Sequence, residues 1–81
     1  MDHPIRIPLT LQPQLGGYAV RSPELPALIT EGETEAEAPA NAWDALLALL
    51  DAYDHLGRPL PLGLPAVPDR SAVEFLTLTR A

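Results

Sequence analysis

The stretch EGETEAEAPANAWDALLALLDAYDHLG, residues 31–57, carries the clearest helical pattern of this chain. Its large apolar side chains recur at three- and four-residue spacing and therefore share one face of a helix. This stripe consists of Trp43, Leu46, Leu47, Leu50 and Tyr53. Asp44, Ala48 and Asp51 fall on the opposite side, and Gly57 is expected to end the helix. The pattern predicts an amphipathic helix that packs its stripe against another layer.

The start of this helix combines a capping signal with a proline. Thr34 and Glu37 have the spacing of a capping box, with Thr34 as the N-cap and Glu37 at the third helical position. Pro39 would then be the fifth helical residue, where it removes one hydrogen bond and crowds the carbonyl of Glu35. Either the helix kinks at Pro39, or it restarts with Pro39 in its first turn.

The residues before the helix predict three short strands. Alternation of apolar and other residues over positions 4–11 is typical of a strand with one buried face. Gly16 and Gly17 predict a tight reversal into a second strand, residues 18–21, which pairs antiparallel to the first. A third strand is expected at residues 27–30. Within the first strand, Pro8 cannot donate a hydrogen bond, so a central position in the sheet would conflict with it.

The residues after the helix predict a connector and a last strand. Arg58–Asp69 contains four prolines and one glycine in twelve residues, which is typical of a semi-extended connector. Residues 71–79 read as a fourth strand with apolar side chains on both faces. Something should cover the second face, and the helix, the connector or another chain could do so. We expect a dimer or tetramer, with an oligomer interface that includes Leu49, Leu56, Leu76 and Leu78. Trp43 is assigned to the core.

Charge limits the partners of the chain. It contains eleven acidic residues and five arginines without lysine, which gives a net charge of −6. This sign repels phosphate, so we expect no direct nucleic-acid binding. The acidity either serves solubility alone or attracts a basic partner. The candidate partner-binding residues are Glu31, Glu33, Glu35, Glu37 and Asp44. The same residues could instead be a solvated helix start.

Other features argue against several classes of protein. The chain has no cysteine, which excludes disulfides and thiolate chemistry and suits the cytoplasm. Its first residues do not resemble a signal peptide, and the longest apolar run, Ala45–Leu50, is far below the about 20 residues that cross a membrane. His3 and His55 are the near-neutral titratable side chains, and neither belongs to a catalytic motif. The glutamates lack the spacing of an EF-hand loop. We expect no enzyme, no metal and no cofactor.

The order of short motifs resembles the HicB antitoxin family of bacteria. The matching pieces, which lie between Ile5 and Pro65, are Gly16-Gly17-Tyr18, Pro23-Glu24-Leu25-Pro26, Gly32-Glu33-Thr34 and Glu37-Ala38. The chain departs from the family pattern at Ala27, where glycine is usual, at Leu15, where a polar residue is common, and at Pro39.

The resemblance implies a fold and a role. The fold is α+β, a single domain over residues 1–81 in the order β-β-β-α-β, with an antiparallel three- to four-stranded sheet and one packed helix. It is similar to a reduced ribonuclease H fold without its catalytic carboxylates. The role is that of an antitoxin, which masks a small basic HicA-type ribonuclease that cleaves messenger RNA. The DNA-binding extension of longer family members is expected to be absent. The alternative is a solitary HicB-like oligomer that regulates or binds a ligand and has no toxin.

Overall fold

The fold is known from a computed structural model that describes residues 3–80. The remaining residues of the predicted 1–81 domain lie outside the described ones. The strands are β1 Ile5–Gln14, β2 Gly17–Arg21, β3 Ile29–Gly32 and β4 Val73–Thr79, and the main helix is α1 Ala38–His55. Short 3-10 turns occupy Glu35–Glu37, Pro61–Gly63 and Arg70–Ala72. The predicted α+β class and the order β-β-β-α-β are confirmed.

The sheet is mixed rather than antiparallel. Its strand order is β3-β2-β1-β4, with β1 antiparallel to β2 and β2 antiparallel to β3, as predicted. The fourth strand runs parallel to β1, with Ile7 opposite Phe75, so the expectation of an antiparallel sheet is wrong for β4. The reason is the connection. The chain passes through α1 and the proline-rich connector before it returns beside β1, and a crossover of this length permits parallel pairing.

Pro8 lies in a central strand, which also corrects an expectation. The pairs between β1 and β2 begin at Thr10, so β1 has no β2 neighbour at Pro8. The carbonyl of Leu11 accepts the N–H of Arg80 at 2.8 Å on the β4 side. Because backbone groups alternate sides along a strand, the backbone of Pro8 points away from β4. The missing N–H therefore costs the sheet no hydrogen bond.

The core lies between one face of the sheet and α1. Ile7, Leu9 and Leu11 of β1 are fully buried. They pack against the fully buried helix residues Ala38, Ala42, Leu46 and Leu50. Burial of Leu46 and Leu50 confirms the predicted stripe, whereas its other members are half-buried. The buried face of α1 also includes Ala38 and Ala42, which the predicted stripe did not contain.

The start of α1 differs from the predicted capping box. A 3-10 turn, Glu35–Glu37, comes first, and α1 begins at Ala38 with Pro39 in its first turn, the second of the two expected arrangements. Thr34 makes no side-chain capping bond, so this half of the capping box is wrong. The other half is displaced by one residue, since the Glu37 carboxylate accepts the N–H of Glu33 at 3.2 Å.

The end of α1 is the one that the sequence predicts. Gly57 has a φ of +67°, which suits a residue without a side chain. Its N–H donates to the carbonyl of Asp54 at 3.1 Å, and the N–H of Arg58 donates to the carbonyl of Tyr53 at 3.0 Å. These two bonds form a Schellman motif, which satisfies carbonyls that the last helical turn would leave free.

Candidate protein-binding surface

Four exposed glutamates follow the chain from the end of β3 to the start of α1. We call Glu31, Glu33, Glu35 and Glu37 the acidic ridge. Because β3 is an edge strand, the acidic ridge follows one outer edge of the sheet. All four side chains are exposed, which makes them accessible to a partner.

The close approach of the β1–β2 hairpin fixes the position of the acidic ridge. Gly17 has a φ of +151°, and a Cβ atom there would collide with the carbonyl oxygen of Gly32 and lie 3.0 Å from the Cα of Glu33. Only glycine avoids both the contact and the strain. The predicted Gly16-Gly17 reversal is confirmed, and it has a second consequence that the sequence did not reveal. It lets the hairpin support the backbone of the acidic ridge.

Two side-chain hydrogen bonds tie the acidic ridge to the rest of the domain. The amide of Asn41, on α1, donates to the carbonyl of Glu31 at 2.7 Å. The hydroxyl of Tyr18, on β2, donates to the Glu35 carboxylate at 3.3 Å. The negative charge of Glu35 is the main reason that the pKa of Tyr18 is raised above its ordinary 10.0, and desolvation and the hydrogen bond act in the same direction. Sequence reasoning missed both anchors, although strand alternation places Tyr18 on the helix side of the sheet.

The charges of the acidic ridge are not neutralised within the described part of the chain. Among residues 3–80, the ion pair is Arg6 with Glu74 at 3.3 Å, and it lies on β1 and β4. None of the four ridge glutamates has an arginine partner in that range. The acidic ridge therefore presents its full charge to the solvent.

The structure only partly brings the five predicted partner-binding residues together. Asp44 is exposed on α1, three residues after Asn41, and so lies on the helix side of the sheet. Thr30 pairs with the buried Val20 and shares its face, which places the neighbouring Glu31 on the opposite face. The acidic residues thus wrap around the β3 edge instead of forming one flat patch.

The four leucines predicted for an oligomer interface are separated in the same way. Leu49 is half-buried against the core, and Leu56 is 67% exposed after the end of α1. Leu76 and Leu78 are 43% and 58% exposed. They point away from the buried Ile7 side and lie on the open face of the sheet, because Phe75 shares the face of Ile7. Neither α1 nor the connector covers them.

Groups that could support catalysis do not form an organised site in residues 3–80. An open cleft of about 650 Å³ is lined in part by His3, Asp69 and Ser71. No hydrogen bond joins these three side chains in the described chain. His55 is exposed in the last turn of α1. Over the same residues, no cluster of three histidine or acidic side chains could hold a metal, and no helix is long and apolar enough to cross a membrane.

Comparison with curated proteins finds HicB antitoxins. The chain is 38% identical over 66 residues to antitoxin HicB 1 of Photorhabdus laumondii subsp. laumondii, which covers 80% of this chain and 43% of the relative. It is 44% identical over 62 residues to antitoxin HicB of Escherichia coli strain K12, which covers 75% of this chain and 45% of the relative. Antitoxin HicB 2 of the same Photorhabdus is 36% identical over 61 residues, with 75% and 44% covered.

These relatives are longer than this chain, which spans less than half the length of each. No family model matches the sequence. The similarity nevertheless covers most of the chain and confirms the HicB-like character that the motifs indicate.

Proposed function

Since this chain is a HicB-like domain, we propose that it acts as an antitoxin by binding and masking a small basic HicA-type ribonuclease that cleaves messenger RNA. In this role it is a non-enzymatic protein-binding domain of the cytoplasm that does not itself contact nucleic acid. The toxin partner supplies the basic surface, and this chain supplies the acidic one.

The observation that supports this proposal is the unneutralised charge of the acidic ridge. An RNA-cleaving toxin needs basic residues near its active site, because RNA binding depends on neutralising phosphates. A row of carboxylates on an anchored backbone can occupy the same basic residues. Complementary potentials also accelerate the encounter of two proteins, by up to about 1000-fold at low salt. The acidic ridge therefore suits both fast capture and steric masking of such a toxin.

The acidic ridge is also suitably rigid. The hydrogen bonds from Asn41 and Tyr18 hold it to the helix and to the sheet, and Gly17 supports its backbone. Because these contacts exist before a partner arrives, little ordering of the ridge is needed on binding. Preorganisation of this kind increases affinity without adding contacts.

The test is co-expression of the chain with the protein encoded next to it. We expect the neighbour alone to arrest growth, and the pair to grow and to co-purify as a complex. The absence of a small basic neighbour, or growth arrest that the chain does not relieve, would contradict the proposal.

Charge reversal tests whether the acidic ridge is the surface that binds the toxin. Glu31→Arg with Glu33→Arg should weaken the complex at least tenfold, because neither side chain has an in-chain partner in residues 3–80 and each faces solvent. Asp51→Arg with Asp54→Arg changes the net charge equally, at exposed positions late in α1, and is the matched control. Equal loss of binding in both double variants would mean that net charge alone matters and that the acidic ridge is not the binding surface.

A second candidate is a solitary HicB-like oligomer that regulates or binds a ligand without any toxin. The exposure of Leu76 and Leu78 favours it, because uncovered apolar side chains on an edge strand are typical of an interface. A chain that is stable alone, with no toxic neighbour, would support this second function.

A further inference from the structure

The outer edge of β4 has free backbone groups. Within residues 3–80, β4 pairs on one side only, with β1. The N–H of Arg80 donates to the carbonyl of Leu11, so the even-numbered residues of β4 direct their backbone groups to β1. Phe75, Thr77 and Thr79 therefore direct their N–H and C=O groups outward, away from the sheet.

This edge carries one charged side chain, Glu74, and few other features that usually prevent pairing with another chain. Over its seven residues, VEFLTLT, β4 has no proline, lysine or glycine. It also presents the exposed Leu76 and Leu78 beside the free backbone. Natural edge strands are normally short, charged, bulged or covered. An edge of this length and composition is typical of one that is paired in the assembled protein.

The open-face side chains near this edge have a self-complementary order. They are Glu74, Leu76, Leu78 and Arg80, which run from an acid through two leucines to a base. If a second copy lies antiparallel and Thr77 is the centre, each Leu76 faces the Leu78 of the other copy. Each Glu74 then faces an Arg80. Such cross-strand apolar and ionic pairs stabilise antiparallel strands.

We propose that two copies of this chain associate through β4, antiparallel and centred on Thr77, to form one continuous sheet. The backbone supports the same register independently. Thr77 faces Thr77 and Phe75 faces Thr79, and these are the residues whose N–H and C=O groups point outward, so each pair exchanges two hydrogen bonds. The leucine and Glu–Arg pairs fall at the non-hydrogen-bonded positions, where facing side chains come closest.

Neighbouring registers do not satisfy both requirements. Centring the pair on Leu76 places Glu74 opposite Leu78, and centring it on Leu78 places Leu76 opposite Arg80. Each of these registers keeps the backbone bonds but places no opposite charges of the two copies face to face. The register centred on Thr77 alone combines the outward backbone groups, the leucine pairs and the ionic pairs.

The net charge of −6 does not prevent this association. The acidic ridge follows β3, three strands away from β4 and therefore about 14 Å distant at the usual strand spacing. This exceeds the Debye length of about 8 Å at physiological salt. The dimer would leave both acidic ridges at its outer ends. The inference does not depend on the existence of a toxin.

A charge-swap experiment tests the register. Arg80→Glu places glutamate opposite Glu74, and Glu74→Arg places arginine opposite Arg80, so each variant alone should dissociate at least tenfold more readily than the wild type. When the two variants are mixed, both cross-strand pairs are again Glu with Arg, and dimers should return. Sedimentation velocity over a range of protein concentrations measures all three. Glu74→Arg also places arginine opposite Arg6 across β1 and β4, so circular dichroism must show that this variant remains folded.

A backbone variant tests the edge itself. Thr77→Pro removes an outward N–H at the centre of the proposed pair and none that β1 uses, so the chain should remain folded by circular dichroism and become monomeric. A wild-type chain that is monomeric at every attainable concentration would overturn the inference. So would variants that dimerise as well as the wild type, or a mixture that does not restore dimers. A wild-type monomer whose β4 edge pairs only with a toxin would overturn it as well.

Discussion

The two edges of the sheet are built in opposite ways. β3 is four residues long, ends at Gly32 and contains the first glutamate of the acidic ridge, Glu31, whose carbonyl already accepts a hydrogen bond from Asn41. β4 is seven residues long, has outward backbone groups without partners in residues 3–80, and exposes two leucines. A short, charged and partly satisfied edge resists pairing with another strand, whereas a long edge with two exposed leucines and a single charge, Glu74, favours it. The domain therefore has one edge suited to charge recognition and one suited to strand pairing.

The largest expected effect comes from the core that supports both edges. Leu46→Ala removes a fully buried side chain between α1 and the sheet and should lower the free energy of unfolding by about 2–5 kcal/mol. Urea unfolding measures it. Leu56→Ala, at an exposed position, is the control and should change stability by less than about 0.5 kcal/mol. Similar losses in the two variants would mean that α1 does not pack as described.

A smaller change should affect the β3 edge alone. Gly17→Ala places a methyl group against the carbonyl of Gly32 and should cost about 1–3 kcal/mol of folding stability, together with weaker binding of the proposed toxin. Gly16→Ala is the control, because its φ of +89° is also unfavourable for alanine but nothing lies within 4 Å of the added Cβ. The difference between the two unfolding free energies measures the contact. Dimerisation through β4 should be unchanged in both variants, and a loss of it would mean that the edges are not independent.

Near the β4 edge, a cation–π contact makes a smaller expected contribution to stability than Gly17 does at the β3 edge. The guanidinium of Arg70, just before β4, lies 4.9 Å from the ring centre of Trp43 on α1. This cation–π contact joins the start of β4 to the helix. Arg70→Ala should lower the free energy of unfolding by about 0.5–1 kcal/mol, with Arg58→Ala as an exposed control. Tryptophan fluorescence reports on the local change, and an unaltered emission spectrum would contradict the contact.

The smallest effect is a titration at the β3 edge. The pKa of Tyr18 lies above 10.0, mainly because of the charge of Glu35. At a pH where a free tyrosine begins to ionise, the phenol of Tyr18 therefore stays protonated in the folded chain. The tie therefore stabilises the fold below pH 10.0, and its contribution is lost as the pH rises through the folded pKa. Ultraviolet titration in a Tyr53→Phe background should show a lower pKa for Tyr18 after Glu35→Gln. An unchanged titration would mean that the carboxylate does not reach the phenol.

Local patterns predicted the elements well. Alternation and the Gly16-Gly17 pair indicated the β1–β2 hairpin, and the three- and four-residue spacing with Gly57 indicated α1 and its end. Both depend on a few neighbouring residues. The direction of β4 was not predictable in this way, because pairing between β1 and β4 depends on where a long crossover returns the chain. The same holds for Pro8. Its central position is tolerated only because β2 ends at Arg21, the partner of Thr10, and therefore does not reach Pro8.

The candidate site was predictable in its charges and not in its geometry. The sequence identified every glutamate of the acidic ridge, but it did not reveal that Asn41 and Tyr18 anchor them or that Asp44 lies on a different face from Glu31. Composition and spacing by themselves determined an acidic α+β chain with HicB-like motifs, since these follow from residue types and short-range periodicity. Only the tertiary structure decided which edge is short and charged and which is long and free. That distinction depends on strand order and pairing direction, which arise from contacts between residues far apart in the chain.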